Sequence, residues 1–319
     1  MYDIQPADYK ERSDRVLAYR AGVLENVLSY ANVIFLIPTC NRGRRKNVVK
    51  KMKKIVLYLF CILMTVFFIY PLYFIVISSA KSNTMIFENP FLPSLDFHLE
   101  NFSKAWAAGI GRQFLNSLIL ALGAVVVTAV FSCMIAFALT RLRFKLQGAV
   151  RVYFVMGMMV PIQSIIVPIA FMTNTFELRD NYILLIFLYS VFWMPLSIFI
   201  ITGFLYSIPV SLEEAAVIDG CSIYKVFFKI ILPLIKPAVA TASIFVFMYT
   251  WNELLTAMIM IGKSELRTIS VGLLNFVGAH NSDYGALMAA ILIAILPPFF
   301  MYLFMQENVV KGLTSGANK

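Results

Sequence analysis

Long apolar runs separated by short polar stretches dominate the chain. Six runs approach or exceed the ~20 apolar residues that a helix needs to cross a bilayer. They cover roughly Ile55–Ser79, Phe114–Thr140, Ala149–Phe171, Tyr182–Tyr206, Pro237–Ile261 and Ala286–Met305. The shorter run Val27–Pro38 is too brief to span. Pro71, Pro161, Pro168, Pro195, Pro297 and Pro298 fall within the long runs. A membrane helix tolerates such residues where neighbouring helices or water satisfy the freed carbonyls. The predicted fold class is therefore an all-α multi-span membrane protein with six transmembrane helices.

Composition agrees. Of 319 residues, 60% are hydrophobic and only 14% charged, with a mean hydropathy of +0.80. A soluble domain of this size does not have that balance. The net charge of +10 is distributed unevenly. The N-terminal stretch and alternate loops carry 21 lysines and arginines, against 6 in the intervening loops. By the positive-inside rule both termini are cytoplasmic. The cluster Arg42–Lys54, with eight basic residues, is the juxtamembrane anchor such a topology expects, so nucleic acid is not a predicted partner. Cys40, Cys61, Cys133 and Cys221 show neither a disulfide framework nor metal-ligand spacing.

The loop between the fourth and fifth runs breaks the pattern. "EEAAVIDGCSIYKVFFKIILP", residues 213–233, brings in three acids, two lysines, a glycine and a closing proline. Ser211 and Glu214 have capping-box spacing. Glu213 and Glu214 suit the positive end of a helix dipole, and Gly220 suits a left-handed stop. The result is a helix of about two turns, too short to persist alone in water. Ala215 and Ala216 leave one side small enough for another protein to approach. A second helix is expected from Ser222 to Pro233, with Tyr224, Phe227, Phe228 and Ile231 on one apolar face and Lys225 and Lys229 on the other. On these residues alone, a protein-docking helix and a capped loop lying on lipid headgroups are equal readings.

The motif separates them by resemblance. Glu214-Ala215-Ala216, Gly220, Ile230 and Leu232-Pro233 reproduce, with every spacing, the signature loop of permease subunits in binding-protein-dependent ABC importers. "VPIQSIIVP" (160–168), "WNELLTAMI" (251–259) and "KGLTSG" (311–316) resemble the carbohydrate-uptake branch, in particular the second maltose-type permease. The likeness covers residues 52–319. Thr202-Gly203 departs from it where that branch often carries a basic residue. The resemblance implies a bacterial inner-membrane protein whose cytoplasmic coupling helix docks in a separate ATPase. Glu213, Glu214, Ala215, Ala216, Asp219 and Gly220 would form that docking helix. The implied partners are a second permease, an ATPase dimer that uses ATP and Mg, an external solute-binding protein and the bilayer. The implied solute is a sugar or oligosaccharide, moved by alternating access.

No catalytic or metal site is expected in this chain. Its only "GKS", Gly262-Lys263-Ser264, has Ala257 where a P-loop requires glycine. His98 and His280 are lone histidines, and Asn101-Phe102-Ser103 is a glycosylation-type triplet of a kind common by chance. Gln163, Asn252 and Glu253 are candidate translocation-pathway residues, because polar groups inside spans are costly and favour bundle interiors. The alternative for each is an interhelical hydrogen bond that holds packing. A self-contained secondary transporter is the competing function; it calls for an internal repeat and several midplane charges, and of these only Glu253 is found. Residues 1–51 lack a counterpart in the resemblance. They are expected to be a dispensable cytoplasmic extension or to precede the true start at Met52, the competing reading being a segment that binds anionic lipid through Arg42–Lys51.

Overall fold

The computed structural model describes residues 42–277 and 282–317, and side-chain surroundings for residues 51–277 and 282–304. Cys40, His280 and all of residues 1–41 lie outside the described residues. The chain divides into two compact units, Met1–Phe68 and Ile69–Lys319. The described part of the first is the opening of a long apolar helix, α1 (Arg42–Ser78). Its side chains from Met52 to Phe68 are exposed or nearly so all round, including Phe60, Leu63 and Phe67. Water does not suit such a surface, whereas lipid does.

Every regular element among the described residues of the second unit is a helix. After α1 come α2 (Asn83–Glu88) and α3 (Glu100–Ala107), then α4 (Ile110–Arg141), α5 (Gln147–Gly157), α6 (Ile162–Thr175) and α7 (Tyr182–Leu205). The short α8 (Ser211–Ile218) precedes α9 (Ile223–Leu234) and α10 (Lys236–Trp251). Two short helices, α11 (Leu255–Met260) and α12 (Ile269–Leu273), lead to α13 (Tyr284–Ala317). Four helices are long and apolar enough to cross a membrane alone, and six spans result if each of two bent pairs counts as one.

Those bends correct the sequence reading. The third predicted span, Ala149–Phe171, is not one rod: α5 and α6 meet at 94°. Pro161 explains the break, since it lacks an N–H and pushes Val160 out of helical backbone; it becomes the N-cap of α6 instead. The fifth predicted span, Pro237–Ile261, stops at Trp251 and resumes as α11. Its apolar length is supplied from the other side by α9, bent 71° from α10. Pro233 does not end α9, which runs on to Leu234. Pro71, Pro195, Pro297 and Pro298 stay inside continuous helices, as expected of a membrane bundle.

The helices of this unit approach closely through small residues. α4 packs along α7 and α10, and α10 packs against α13. Ala121, Ala124, Ala136, Ala238, Ala242, Ala286, Ala289 and Ala290 are all buried at these seams. A Cβ at Gly123 would fall 2.7 Å from Ile186 Cδ1. Such contacts drive helix association where lipid removes the hydrophobic term.

Candidate functional site: the short loop helix and the broken fifth span

α8 is built by its neighbours rather than by its own cap. Ser211 does not cap it: Val210 is the N-cap, and no side chain bonds the first turn. The carbonyl of Val210 already accepts from Glu213 and Glu214 N–H, so the chain turns helical one residue before the serine can act. The C-terminus follows expectation. Gly220 is left-handed at φ +79°. Cys221 N–H donates to the Ala216 carbonyl at 2.9 Å and Gly220 N–H to that of Val217 at 3.0 Å. This is the paired pattern of a Schellman stop.

Glu213 and Ala216 point inward and the rest of α8 outward. Ala216 packs with Phe137, Leu205, Ile208 and Phe227. It is therefore small for the chain's own core, and Ala215 alone keeps the exposed side small. Glu213 accepts from Arg141 Nε at 2.5 Å, with side chains 10% and 7% exposed. Arg141 Nη2 also donates to the carbonyls of Leu205 and Ile208, each at 3.0 Å. One guanidinium thus ties the end of α4 to the end of α7 and to α8. Sequence reading counted Arg141 only as a positive-inside charge; nothing in its neighbourhood signals the pairing.

The outer surface of α8 is apolar and unpartnered among the described residues. Leu212 and Val217 are exposed, Ile218 is 85% exposed, and Glu214 and Asp219 flank them. Gly220 faces open space. The next helix departs from its predicted face: Phe227 and Ile231 are buried, but Tyr224 and Phe228 are exposed. The cause is a π-helical segment, Val226–Ile231. Its i→i+5 winding brings Val226 to the buried side with Phe227 and Ile231, where an α-helix would have placed Tyr224.

The polar candidates in the spans separate. Glu253 stands at the break between α10 and α11. Its carboxylate accepts from Thr256 N–H at 2.7 Å and Ala257 N–H at 3.0 Å, and Tyr189 of α7 donates to it at 2.9 Å. It caps α11 and fastens it to α7, so its oxygens are engaged in packing. Asn252, next to it, is exposed and donates to the Met248 carbonyl at 2.7 Å. It lines a cavity of about 470 Å³ together with Trp251, Ser270, Ile295, Phe299 and Tyr302. Gln163 is exposed in the first turn of α6, and among the described residues no hydrogen bond joins it to Asn252 or Glu253.

Other sequence signals resolve as structure. The amides of Gly262 and Lys263, in the "GKS" triplet, donate to Asp180 Oδ1 at 2.7 and 3.0 Å. Those bonds, that of Lys263 foremost, hold the Asp180 carboxyl below its ordinary range. Asn101 of the glycosylation-type triplet is buried, donating to the carbonyls of Ser79 and Lys81.

Comparison with known proteins places this architecture. Residues 128–315, more than half of the chain, match the family described as binding-protein-dependent transport system inner membrane component. The chain is 36% identical over 262 residues to the probable ABC transporter permease protein YurM of Bacillus subtilis, covering 82% of this chain and 87% of that one. It is 32% identical to the probable starch degradation products transport system permease protein AmyC of Thermoanaerobacterium thermosulfurigenes, over 81% and 94%. Among solved structures, a bacterial ABC transporter involved in import of the acidic polysaccharide alginate superimposes with TM-score 0.70 at 20% identity, over 85% of this chain and 99% of that one. The last shows a shared fold. With the family match extending from within α4 into the last turn of α13, the chain belongs to the inner-membrane permease components of binding-protein-dependent ABC transport systems.

Proposed function

We propose that this permease carries a sugar or oligosaccharide inward, with both termini in the cytoplasm and α8 as its coupling helix. The observation that carries the coupling role is the two-sidedness of α8. Glu213 and Ala216 bind it to the bundle, while Leu212, Ala215, Val217 and Ile218 face outward with nothing over them among the described residues. A two-turn helix held so firmly on one side passes a push on the other side directly to α4 and α7. An ATPase dimer that closes on ATP and Mg would supply that push, and a second permease would complete the pathway. The substrate class rests on relatives: AmyC is named for starch degradation products, and AraQ of Bacillus subtilis, 28% identical, for arabinooligosaccharides. Asn252, on the open cavity, is the pathway candidate we favour; Glu253 serves by holding the break. The family assignment leaves a self-contained secondary transporter without support.

The test is Ala215→Trp, a site that is exposed and free of backbone strain. The variant should insert normally yet lose co-purification with the ATPase and ATP-dependent uptake. Retention of both at wild-type level would remove the docking assignment. Cysteine reporters near Lys104 and Lys263 should label from outside, and ones near Arg143 and Lys225 only after permeabilisation.

A further inference from the structure

A large apolar surface outside the membrane-capable helices lies beside the C-terminal end of α1. In the segment that joins α2 to α3, Phe91, Leu92, Phe97 and Leu99 are between 63% and 70% exposed, and Leu95 is 95% exposed. Hydrogen bonds hold this segment to α1 and to the turn that follows it. Tyr73 Oη donates to the Phe91 carbonyl at 3.1 Å, and His98 N–H to that of Ala80 at 2.9 Å. Lys81, itself buried, donates through Nζ to the Asn89 carbonyl at 2.7 Å. The Phe91 ring lies 5.9 Å from that of Tyr70. Tyr70 and Tyr73 precede Ser78, the last residue of α1, by about 12 and 8 Å along the axis at 1.5 Å per residue. The segment therefore lies alongside α1 and not above its end. Counted from Ile55, the ~20 apolar residues that cross a bilayer end near Phe74. Tyr70, Tyr73 and Phe91 thus share the depth at which tyrosine rings meet the headgroups.

We propose that this segment is a lipid-inserted wedge: Phe91, Leu92 and Leu95 enter the leaflet beside α1, and a cavity behind them seats the acyl chain of a membrane lipid. The backbone suits that depth, where unsatisfied N–H and C=O groups are costly. Pro90 and Pro93 have no N–H. The carbonyls of Asn89 and Phe91 accept from Lys81 and Tyr73, and Asn89 N–H donates to the Met85 carbonyl. No residue from Asn89 to Leu95 is charged; the exposed acids Glu88 and Asp96 bracket the stretch. The cavity has a volume of about 340 Å³, and Val76, Phe97, Leu99 and Leu292 line it together with Ser79 and Ser94. Both hydroxyls are engaged elsewhere, Ser79 with the Val76 carbonyl and Ser94 with Met85 Sδ and Asp96 N–H. The cavity therefore gives an alkyl chain an apolar lining and a sugar no polar contact. Continuity selects lipid over a protein partner. The exposed side chains of Tyr70, Leu72, Tyr73 and Val76 lie on a membrane-capable helix and pass directly into the segment. That the leaflet is the outer one rests on the topology proposed above; the contact with lipid does not.

The test places a fluorophore at the tip of the wedge. The full transporter, with its partner permease and ATPase and with the native cysteines of this chain replaced by alanine, is reconstituted in liposomes of phosphatidylethanolamine and phosphatidylglycerol. Bimane is attached at Leu95→Cys or, as the control, at Lys263→Cys; both sites are exposed, so the variants should fold. A lipid nitroxide near the headgroup should quench the Leu95 label more than one near the chain end, and iodide should quench it several-fold less than the Lys263 label. The proposal is overturned if iodide quenches both labels alike while the nitroxides are silent, which puts the segment in water. It is equally overturned if neither quencher reaches Leu95, which puts a protein subunit over it. Impermeant labelling near Lys263 reads the membrane side separately: its failure would invert the topology and leave the nitroxide result standing. Filling the cavity by Ala80→Phe, or from α13 by Leu292→Phe, should release one bound phospholipid from the purified transporter, counted as phosphorus, while the Leu95 response persists. An unchanged count in both variants overturns the acyl-chain assignment.

Discussion

Removing Glu213 should loosen α8 from the bundle without touching its outer surface. The pair with Arg141 is buried on both sides, at 10% and 7% exposure, so the screening that makes surface ion pairs weak does not apply. Breaking a buried pair by deleting one partner costs about 3–5 kcal/mol, because the other charge is left without compensation. Here Arg141 keeps two carbonyl acceptors, at Leu205 and Ile208, which places Glu213→Ala near the lower bound, about 3 kcal/mol. Glu213→Gln keeps the acceptor and loses the charge; the difference between charge-assisted and neutral bonds puts it at about 1 kcal/mol. The double change Arg141→Met with Glu213→Leu removes both charges and should recover most of the loss. Two readouts apply to each variant in nanodiscs: the thermal midpoint, and solute moved per ATP hydrolysed. The expected order in both is wild type, then Gln, then Ala, with the double variant above Ala, and the order should persist in high salt. If Glu213→Ala matches wild type in melting and in coupling, the pair does not hold α8 and the transmission argument fails.

Three further outcomes follow from particular contacts. Glu253→Ala removes the cap of α11 and the Tyr189 bond together and should cost about 1–2 kcal/mol, seen as a lower thermal midpoint; Tyr189→Phe should cost less, since the cap survives. Gly285→Ala sets a Cβ 2.8 Å from the Lys81 carbonyl oxygen, backbone that cannot swing aside, and should destabilise by about 1–3 kcal/mol through overpacking, whereas Gly203→Ala, which meets open space within α7, should be neutral to slightly stabilising in the same melting assay. The Asp180 carboxyl is held below its ordinary value by the amides of Lys263 and Gly262. A depressed folded value means that its contribution is complete above the unfolded value of about 3.9 and is lost as pH falls through the folded one. Amide exchange at Gly262 and Lys263 should therefore stay protected from neutral pH down to about 4 and rise only in stronger acid, and Asp180→Ala should abolish the protection at every pH.

What the sequence determined by itself was whatever depends on local composition and period. Apolar length located four of the six spans to within a few residues of the membrane-capable stretches of α1, α4, α7 and α13, because a bilayer selects for that length directly. The glycine at 220 announced its own left-handed stop, since other side chains rarely adopt that backbone. The loop motif around Glu214 and Gly220 was sufficient to indicate the family. Whatever depends on a partner distant in sequence was not legible. Hydropathy cannot register that one carboxylate, Glu253, caps the helix that follows the break, nor that Tyr189, 64 residues away, donates a hydrogen bond to it. Ala215 and Ala216 are identical as text, yet one faces out and the other into the core, because Arg141 draws Glu213 inward and so fixes the rotation of α8. The π-helical turn at Val226–Ile231 shifts the apolar face of α9 for the same reason: packing against Phe137 and Ala216 decides which side is buried, and the backbone winds to suit. The tertiary structure alone brings Arg112 and Gln113 of α4 to one cavity with Arg267, just before α12, since these stretches are contiguous in space only once α4 and α12 have packed.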